Sequence, residues 1–172
     1  IKRNNEIFIW SRGEELVTDQ FPEIKEELLK WKGKFVIDGE ILAFKDEKVL
    51  NFNELQKRLN RKNLSKKMLE EIPIVVFTYD LLEFEGEDFR EKPMSVRRLK
   101  LENLLYDNPS EKIFISEKIN FNTWDQLPEL RQKARDINSE GLMLKNYDSP
   151  YHTGRKKGDW WKWKIDPLTI DA

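Results

Sequence analysis

The 172-residue chain is about one domain's worth of sequence, long enough to bury a core. Its 31 lysines and arginines nearly cancel 32 aspartates and glutamates, so any nucleic-acid surface has to come from local clustering of charge and not from net charge. The absence of cysteine excludes disulfides, thiolate catalysis and cysteine-ligated zinc, and the lack of a membrane-length apolar run or signal peptide points to a cytoplasmic protein without membrane contact.

The chain opens on IKRNNEIFIW, without an initiator methionine, and reads as a fragment. Glu6 to Arg12 alternates Ile7 and Ile9 against Phe8 and Trp10, a strand with both faces covered. Asn4-Asn5 before it suits a hairpin turn, with Ile1 to Arg3 as the remnant of a preceding strand, and Ser11 to Glu15 closes the strand. Phe21-Pro22 opens a helix with proline in its first turn, which turns Leu28, Leu29 and Trp31 inward and ends at Gly33.

Lys34 to Phe44 (KFVIDGEILAF) is a second strand. Period-two alternation puts Phe35, Ile37, Ile41 and Ala43 on one face and Val36, Asp38, Glu40, Leu42 and Phe44 on the other. Asp38 and Glu40 therefore stand together among apolar residues, where two carboxylates need a cation or hydrogen-bond donors. They read either as site carboxylates, Glu40 above all, or as a structural pair with Arg12 or a nearby lysine.

Asn51 to Glu71 is helical and basic, with Leu55 and Leu59 as an apolar stripe and Ser65 as the cap of a second short helix before Pro73. Its Arg58, Arg61 and Lys62 read as a solvated face or as DNA-backbone contacts. Pro73 to Leu82 is a central buried strand with Tyr79-Asp80 at its end, followed by a turn through Glu85 to Asp88. Ser95 caps a helix whose Val96, Leu99 and Leu105 face the core, and Ile113 to Ile119 forms another strand. Thr123 and Gln126 make a capping box for a helix running to Ile137, with an irregular first turn at Pro128.

Near the end, EGLMLK and WWKWK read as two short strands joined by a basic loop. Alternation sends Glu140, Leu142 and Leu144 one way and Met143 and Lys145 the other. In the second strand Trp160, Lys162 and Lys164 share a face, opposite Trp161 and Trp163, whose indoles bury enough area to fix the strand. Two ammonium groups aimed at one spot suit phosphate oxygens, whereas an edge strand with water-facing lysines is the blander meaning of the same pattern. The lone His152 reads as an exposed loop residue, and nothing supports a histidine metal site. No repeat, low-complexity tract or linker interrupts residues 1–172, so the fold class is α+β in one unit.

Five blocks in order, SRGEE with DQFPEI, FVIDGEILAF with FNELQKRLNRK, VVFTYDLLEFEGEDFREKPMSVRRLKLENLL, EGLMLKNYDSPYHTGRKKGDWWKWK and KIDPLTIDA, resemble the adenylation (nucleotidyltransferase) domain of ATP-dependent DNA ligases. The resemblance implies an ATP-grasp-like domain of antiparallel sheets flanked by helices, a single partial adenylation domain over 1–172 that is truncated at its N-terminus. It implies ATP and Mg2+ as cofactors, nicked double-stranded DNA as partner, a monomeric parent and roles in repair, recombination or replication. By resemblance Arg12 contacts AMP or a DNA 5′-phosphate, Glu40 lies at the ribose and metal, and Tyr79 stands where the family stacks a phenylalanine on adenine. Glu140 is similar to the family's metal-associated glutamate, Lys162 and Lys164 to the paired lysines on the AMP phosphate, and Arg155 or Lys156 to the basic group before them. The family's nucleophile motif, KxDG followed by arginine, is not found: Lys34 stands too far from Asp38-Gly39, which already match the DGE block. The oligonucleotide-binding domain expected after LTIDA is missing as well, so the chain alone is expected to be inactive. A non-catalytic nucleic-acid-binding module, and an RNA ligase or mRNA-capping relative, are the alternatives.

Overall fold

The computed structural model describes residues 2–3, 6–61, 63–154 and 156–166. In chain order its elements begin with β1 (Lys2–Arg3), β2 (Ile7–Phe8), α1 (Pro22–Lys30), β3 (Phe35–Lys45) and β4 (Lys48–Val49). They continue through α2 (Phe52–Leu59), α3 (Lys66–Glu71), β5 (Ile74–Phe84), β6 (Glu87–Asp88), α4 (Met94–Asp107) and β7 (Ile113–Ile115). The last are α5 (Leu127–Lys133), β8 (Gly141–Lys145) and β9 (Trp160–Lys164). The long strands β3 and β5 pair antiparallel at the centre of one sheet in the order β2-β1-β3-β5-β6, with β4 on β3 and β7 on β5. β7 runs parallel to β5, so this sheet is mixed, and β8 and β9 form a separate antiparallel ribbon.

One face of the large sheet carries the core. Phe35, Ile37 and Ala43 of β3 and Ile74, Val76 and Leu81 of β5 are buried against Ile24 and Leu28 of α1 and Leu101 and Leu104 of α4. Within α1 the buried stripe is Ile24, Leu28 and, just past the helix, Trp31, a spacing of four and three residues. Leu29, expected inward, lies off that stripe and is exposed. The segment after β1 also has one covered face and not two: Ile7 and Ile9 are buried, while Phe8 and Trp10 are exposed. Only Ile7–Phe8 joins the ladder, and the Ser11 to Glu15 turn is closed by a bridge between Trp10 and Leu16.

The helix α4 departs furthest from the sequence expectation. Leu105 packs against the core as expected, but Val96 and Leu99 are exposed, and the fully buried stripe is Arg97, Leu101 and Leu104. The cause is electrostatic: the Arg97 guanidinium, fully buried, makes a bidentate pair with Asp80 of β5 through Nε at 2.7 Å and Nη2 at 3.0 Å. Its Nη1 donates to the carbonyls of Ser149, at 3.0 Å, and Lys92. Ser95 is not the cap. Pro93 holds that position, and the first helical amides, of Met94 and Ser95, donate to the carbonyls of Ser149 and Tyr147, both at 2.9 Å.

Other boundaries shift for local reasons. β5 runs past Tyr79-Asp80 to Phe84, and Glu85 and Gly86, at φ 50° and 84°, make the two-residue turn into β6. The strand expected to reach Ile119 is three residues long, and Ile119 is exposed. Ser65 caps α3 by accepting from the Met68 amide, as expected, and Thr123 with Gln126 forms the capping box that leads into α5 with Pro128 in its first turn. Among the described residues no helix is long and apolar enough to cross a membrane.

Candidate functional site

Asp38, whose charge acts on Lys145, leaves β3 on the face away from the core. Its Oδ1 accepts from the Tyr79 hydroxyl of β5 at 3.2 Å, and its Oδ2 from the Tyr151 hydroxyl of the β8–β9 loop at 2.8 Å. Burial raises both phenol pKa values, and the Asp38 carboxylate raises them further. The charge of Glu40, two residues along β3, also acts on the Tyr79 phenol, although Glu40 itself is exposed.

The β8–β9 ribbon supplies the cations. Its register sets Met143 opposite Lys162, Gly141 opposite Lys164 and Lys145 opposite Trp160, so three lysines share one face, as alternation requires. Lys145 reaches furthest toward the large sheet. Its ammonium stands 4.4 Å from the Tyr79 ring centroid and 4.0 Å from that of Trp160. Burial pushes its pKa down, opposed by the charges of Asp80 and Asp38. Trp160 is in turn held by its indole N–H, which donates to the Ser149 hydroxyl at 3.1 Å.

Glu140 lies just outside β8, across Gly141, whose φ of +138° interrupts the alternation. The Glu140 carboxylate meets the Lys164 ammonium at 2.7 Å, and that hydrogen bond holds its pKa below the usual carboxylate range. The opposite face of the ribbon is less covered than expected. Trp161 is exposed, and Trp163 is half-buried beneath the Arg131 guanidinium, 5.1 Å from its ring. The indole that fixes the strand is Trp160, on the lysine face.

Of the residues singled out from sequence, Tyr79 is joined to Lys145 by ring contact, and Glu140 to Lys164 by an ion pair. Lys162 is exposed on the same face as Lys164, while Arg12, on an exposed turn, and Lys156, exposed in the β8–β9 loop, make none of these contacts. Arg155 and Lys62 lie outside the described residues. Arg58 is corrected: its guanidinium is fully buried, bound to Glu23 and to the carbonyls of Gln20, at 2.9 Å, and Ile72, at 3.0 Å. It ties α2 to α1 and cannot face a phosphate backbone, whereas Arg61 is exposed. His152 is half-buried and pairs through Nε2 with Asp159 at 2.7 Å, unlike the exposed loop residue expected. Lys145, Tyr151 and Trp160 are the members the motifs did not assign. Their sequence signal was limited to Trp160 sharing a face with Lys162 and Lys164; Lys145 joins that face only through the register of β8 with β9. Beyond Tyr79, Phe44, Phe77 and Phe114 continue the same sheet face as a part-exposed cluster, with ring centroids 5.6 to 6.5 Å apart.

This arrangement of sheets and helices is that of the DNA ligase nucleotidyltransferase domains. Mycobacterial DNA ligase D complexed with ATP and MES superimposes with a TM-score of 0.68 at 21% identity, over 91% of this chain and 46% of that one. The profile of the ATP dependent DNA ligase domain matches residues 1–164, and the chain belongs to that family. The DNA ligase of Acidianus ambivalens is 36% identical over 171 residues, and that of Archaeoglobus fulgidus is 34% identical over 166, each alignment covering 96% of this chain. The chain spans only 28% and 29% of those two relatives.

Proposed function

We propose that the chain is the nucleotide-binding part of an ATP-dependent DNA ligase, which joins nicked double-stranded DNA through a lysine–AMP intermediate. The observation that supports it best is the meeting of Tyr79 with the lysine face of β8 and β9, an aromatic platform beside a row of ammonium groups. A purine stacks on the ring, and Lys162 and Lys164, with Lys145 behind them, neutralise the α-phosphate as charge builds on it. Arg12, Lys156 and Arg155 supply further phosphate contacts, and Arg61 and Lys62 contacts to the DNA backbone.

The residues present suit magnesium only together with substrate. Among the described residues no three histidine or carboxylate side chains converge, but Mg2+ is ordinarily held by one or two carboxylates plus phosphate oxygens. Glu40 and Glu140 are the carboxylates for that set, Glu140 once it parts from Lys164. The ion supplies charge neutralisation on the phosphates.

Residues 1–172 hold no KxDG lysine, so this polypeptide by itself forms no AMP adduct. Incubation with ATP and magnesium followed by intact mass measurement should show the unmodified chain, and a lysine-AMP species would refute this. Calorimetry with ATP and GTP on the chain and on Lys162→Ala tests the pocket: ATP binding that weakens in the variant is expected, and no nucleotide binding at all would overturn the proposal.

A further inference from the structure

Asp38 is set in a closed circuit of contacts that the phosphate chemistry does not need. Tyr79 and Tyr151 each donate to one of its oxygens, at 3.2 and 2.8 Å. Tyr151 is itself fixed three ways: its amide donates to the Arg90 carbonyl at 2.7 Å, its ring meets Trp160 edge-on at 5.6 Å and 82°, and the Arg97 guanidinium lies 5.9 Å from its centroid. Trp160 donates to the Ser149 hydroxyl, Arg97 to the Ser149 carbonyl, and the other nitrogens of Arg97 grip Asp80, the residue after Tyr79. The path therefore returns to its start through β3, the β8–β9 loop, β9, α4 and β5. An apolar cluster would fill this space without desolvating a carboxylate. What the polar circuit adds is direction: each oxygen of Asp38 takes one phenol, and the tilt of the Tyr79 ring follows.

We propose that Asp38 and Tyr151 are positioning residues for base recognition: together they fix the plane of the Tyr79 ring on which a purine stacks. The inference rests on the reading of Tyr79 as the base platform. Both phenols are spent on Asp38, and neither residue is among those assigned to phosphate, so their effect should be confined to the part of the affinity that the base contributes.

Two measurements on the 172-residue chain test it. The first needs no ligand: in spectra of the chain carrying 13C-labelled tyrosine, Tyr151→Phe and Asp38→Ala should each move or broaden the Tyr79 ring resonance, while Asp38→Asn, which keeps an acceptor, restores it. An unmoved Tyr79 signal in Tyr151→Phe overturns the proposal whatever the chain binds. The second compares ATP with inorganic tripolyphosphate by calorimetry. Loss of one buried hydrogen bond predicts a fall of about five- to tenfold in the ratio of ATP to tripolyphosphate affinity in Tyr151→Phe, with tripolyphosphate binding unchanged and partial recovery of the ratio in Asp38→Asn relative to Asp38→Ala. Equal weakening of both ligands would reduce the residues to general scaffolding and overturn the proposal. A wild-type chain that binds tripolyphosphate as tightly as ATP would refute the base-platform reading, and base recognition through Asp38 and Tyr151 with it. In that case the ring resonances still report separately whether the circuit holds Tyr79.

Discussion

Replacing Gly141 by alanine should detach the β8–β9 ribbon from its register. Gly141 has φ +138°, and a Cβ there would stand 2.2 Å from the Trp163 carbonyl oxygen and 2.8 Å from the Lys164 Cα, both backbone atoms of the facing strand. The backbone conformation alone costs a non-glycine residue about 1–2 kcal/mol, and forcing atoms into occupied space adds about 1–3 kcal/mol. For a chain of 172 residues, a total of roughly 2–5 kcal/mol corresponds to a fall in Tm of roughly 5–15 °C. Gly86 provides the control, since it too has positive φ, +84°, but nothing lies within 4 Å of its Cβ position. Gly86→Ala should therefore lose the backbone part alone, about 1–2 kcal/mol. Thermal melts of both variants, with hydrogen exchange read over β8 and β9, separate the two contributions. In Gly141→Ala the amides of β8 and β9 should exchange faster while β3 and β5 stay protected. A melt for Gly141→Ala no lower than that of Gly86→Ala would refute the close-approach argument.

Three further outcomes follow from the packing and the titrating groups. Arg58→Ala leaves Glu23 and two carbonyls without their shared donor and should lower the unfolding free energy by about 3 kcal/mol, measured by urea denaturation, with a smaller loss in Arg58→Met; a change below about 1 kcal/mol would contradict the buried placement. Leu101→Ala should lose about 2–5 kcal/mol because Leu101 is fully buried, whereas Leu99→Ala should stay within about 0.5 kcal/mol because Leu99 is 60% exposed, and equal losses would mean that α4 is turned otherwise. Burial and the Asp38 carboxylate raise the phenol pKa values of Tyr79 and Tyr151 above the ordinary tyrosine value of 10.0, so the stability they contribute is complete below about pH 10 and is lost as pH climbs toward the folded values. Unfolded chains release those protons first, so denaturation midpoints should fall above pH 10 in the wild type and fall less in the Tyr79→Phe, Tyr151→Phe double variant. An identical alkaline slope in both proteins would count against this.

The strands were legible because period-two alternation survives in them. Phe35, Ile37 and Ala43 are buried as the pattern requires, and Lys145, Lys162 and Lys164 share a face through the register of β8 with β9. The caps at Ser65 and Thr123 were legible for the same reason, since a cap is a local hydrogen bond whose partners lie three residues apart. The helix α4 was not. Counting Arg97 as solvent-facing selects the Val96–Leu99 stripe, turned by about 140° from the one that is buried. The partner that reverses the choice, Asp80, is 17 residues away in sequence and belongs to a strand. Arg58 failed in the same manner, because a cationic run conceals the member whose acceptor lies 35 residues upstream in α1. In the candidate site, lysines and carboxylates announced themselves by type and spacing, whereas Tyr151 and Trp160 act through contacts with Asp38 and Lys145 that only the folded chain brings about.

The candidate site is bordered by two sheets that, among the described residues, share no hydrogen-bonded ladder. Backbone bonds tie the β8–β9 loop to the start of α4 and to Arg90, and between the sheets themselves the contacts are side chains: a phenol on Asp38, an ammonium stem on Tyr79 and an indole anchored on Ser149. Backbone pairing resists change one residue at a time, because a slipped register turns a whole strand over, but a side-chain strut can be lengthened, shortened or swapped singly. A site framed in this way can be refitted to a bulkier or smaller ligand by substitutions at Tyr151, Lys145 or Trp160, with both sheets left as they are.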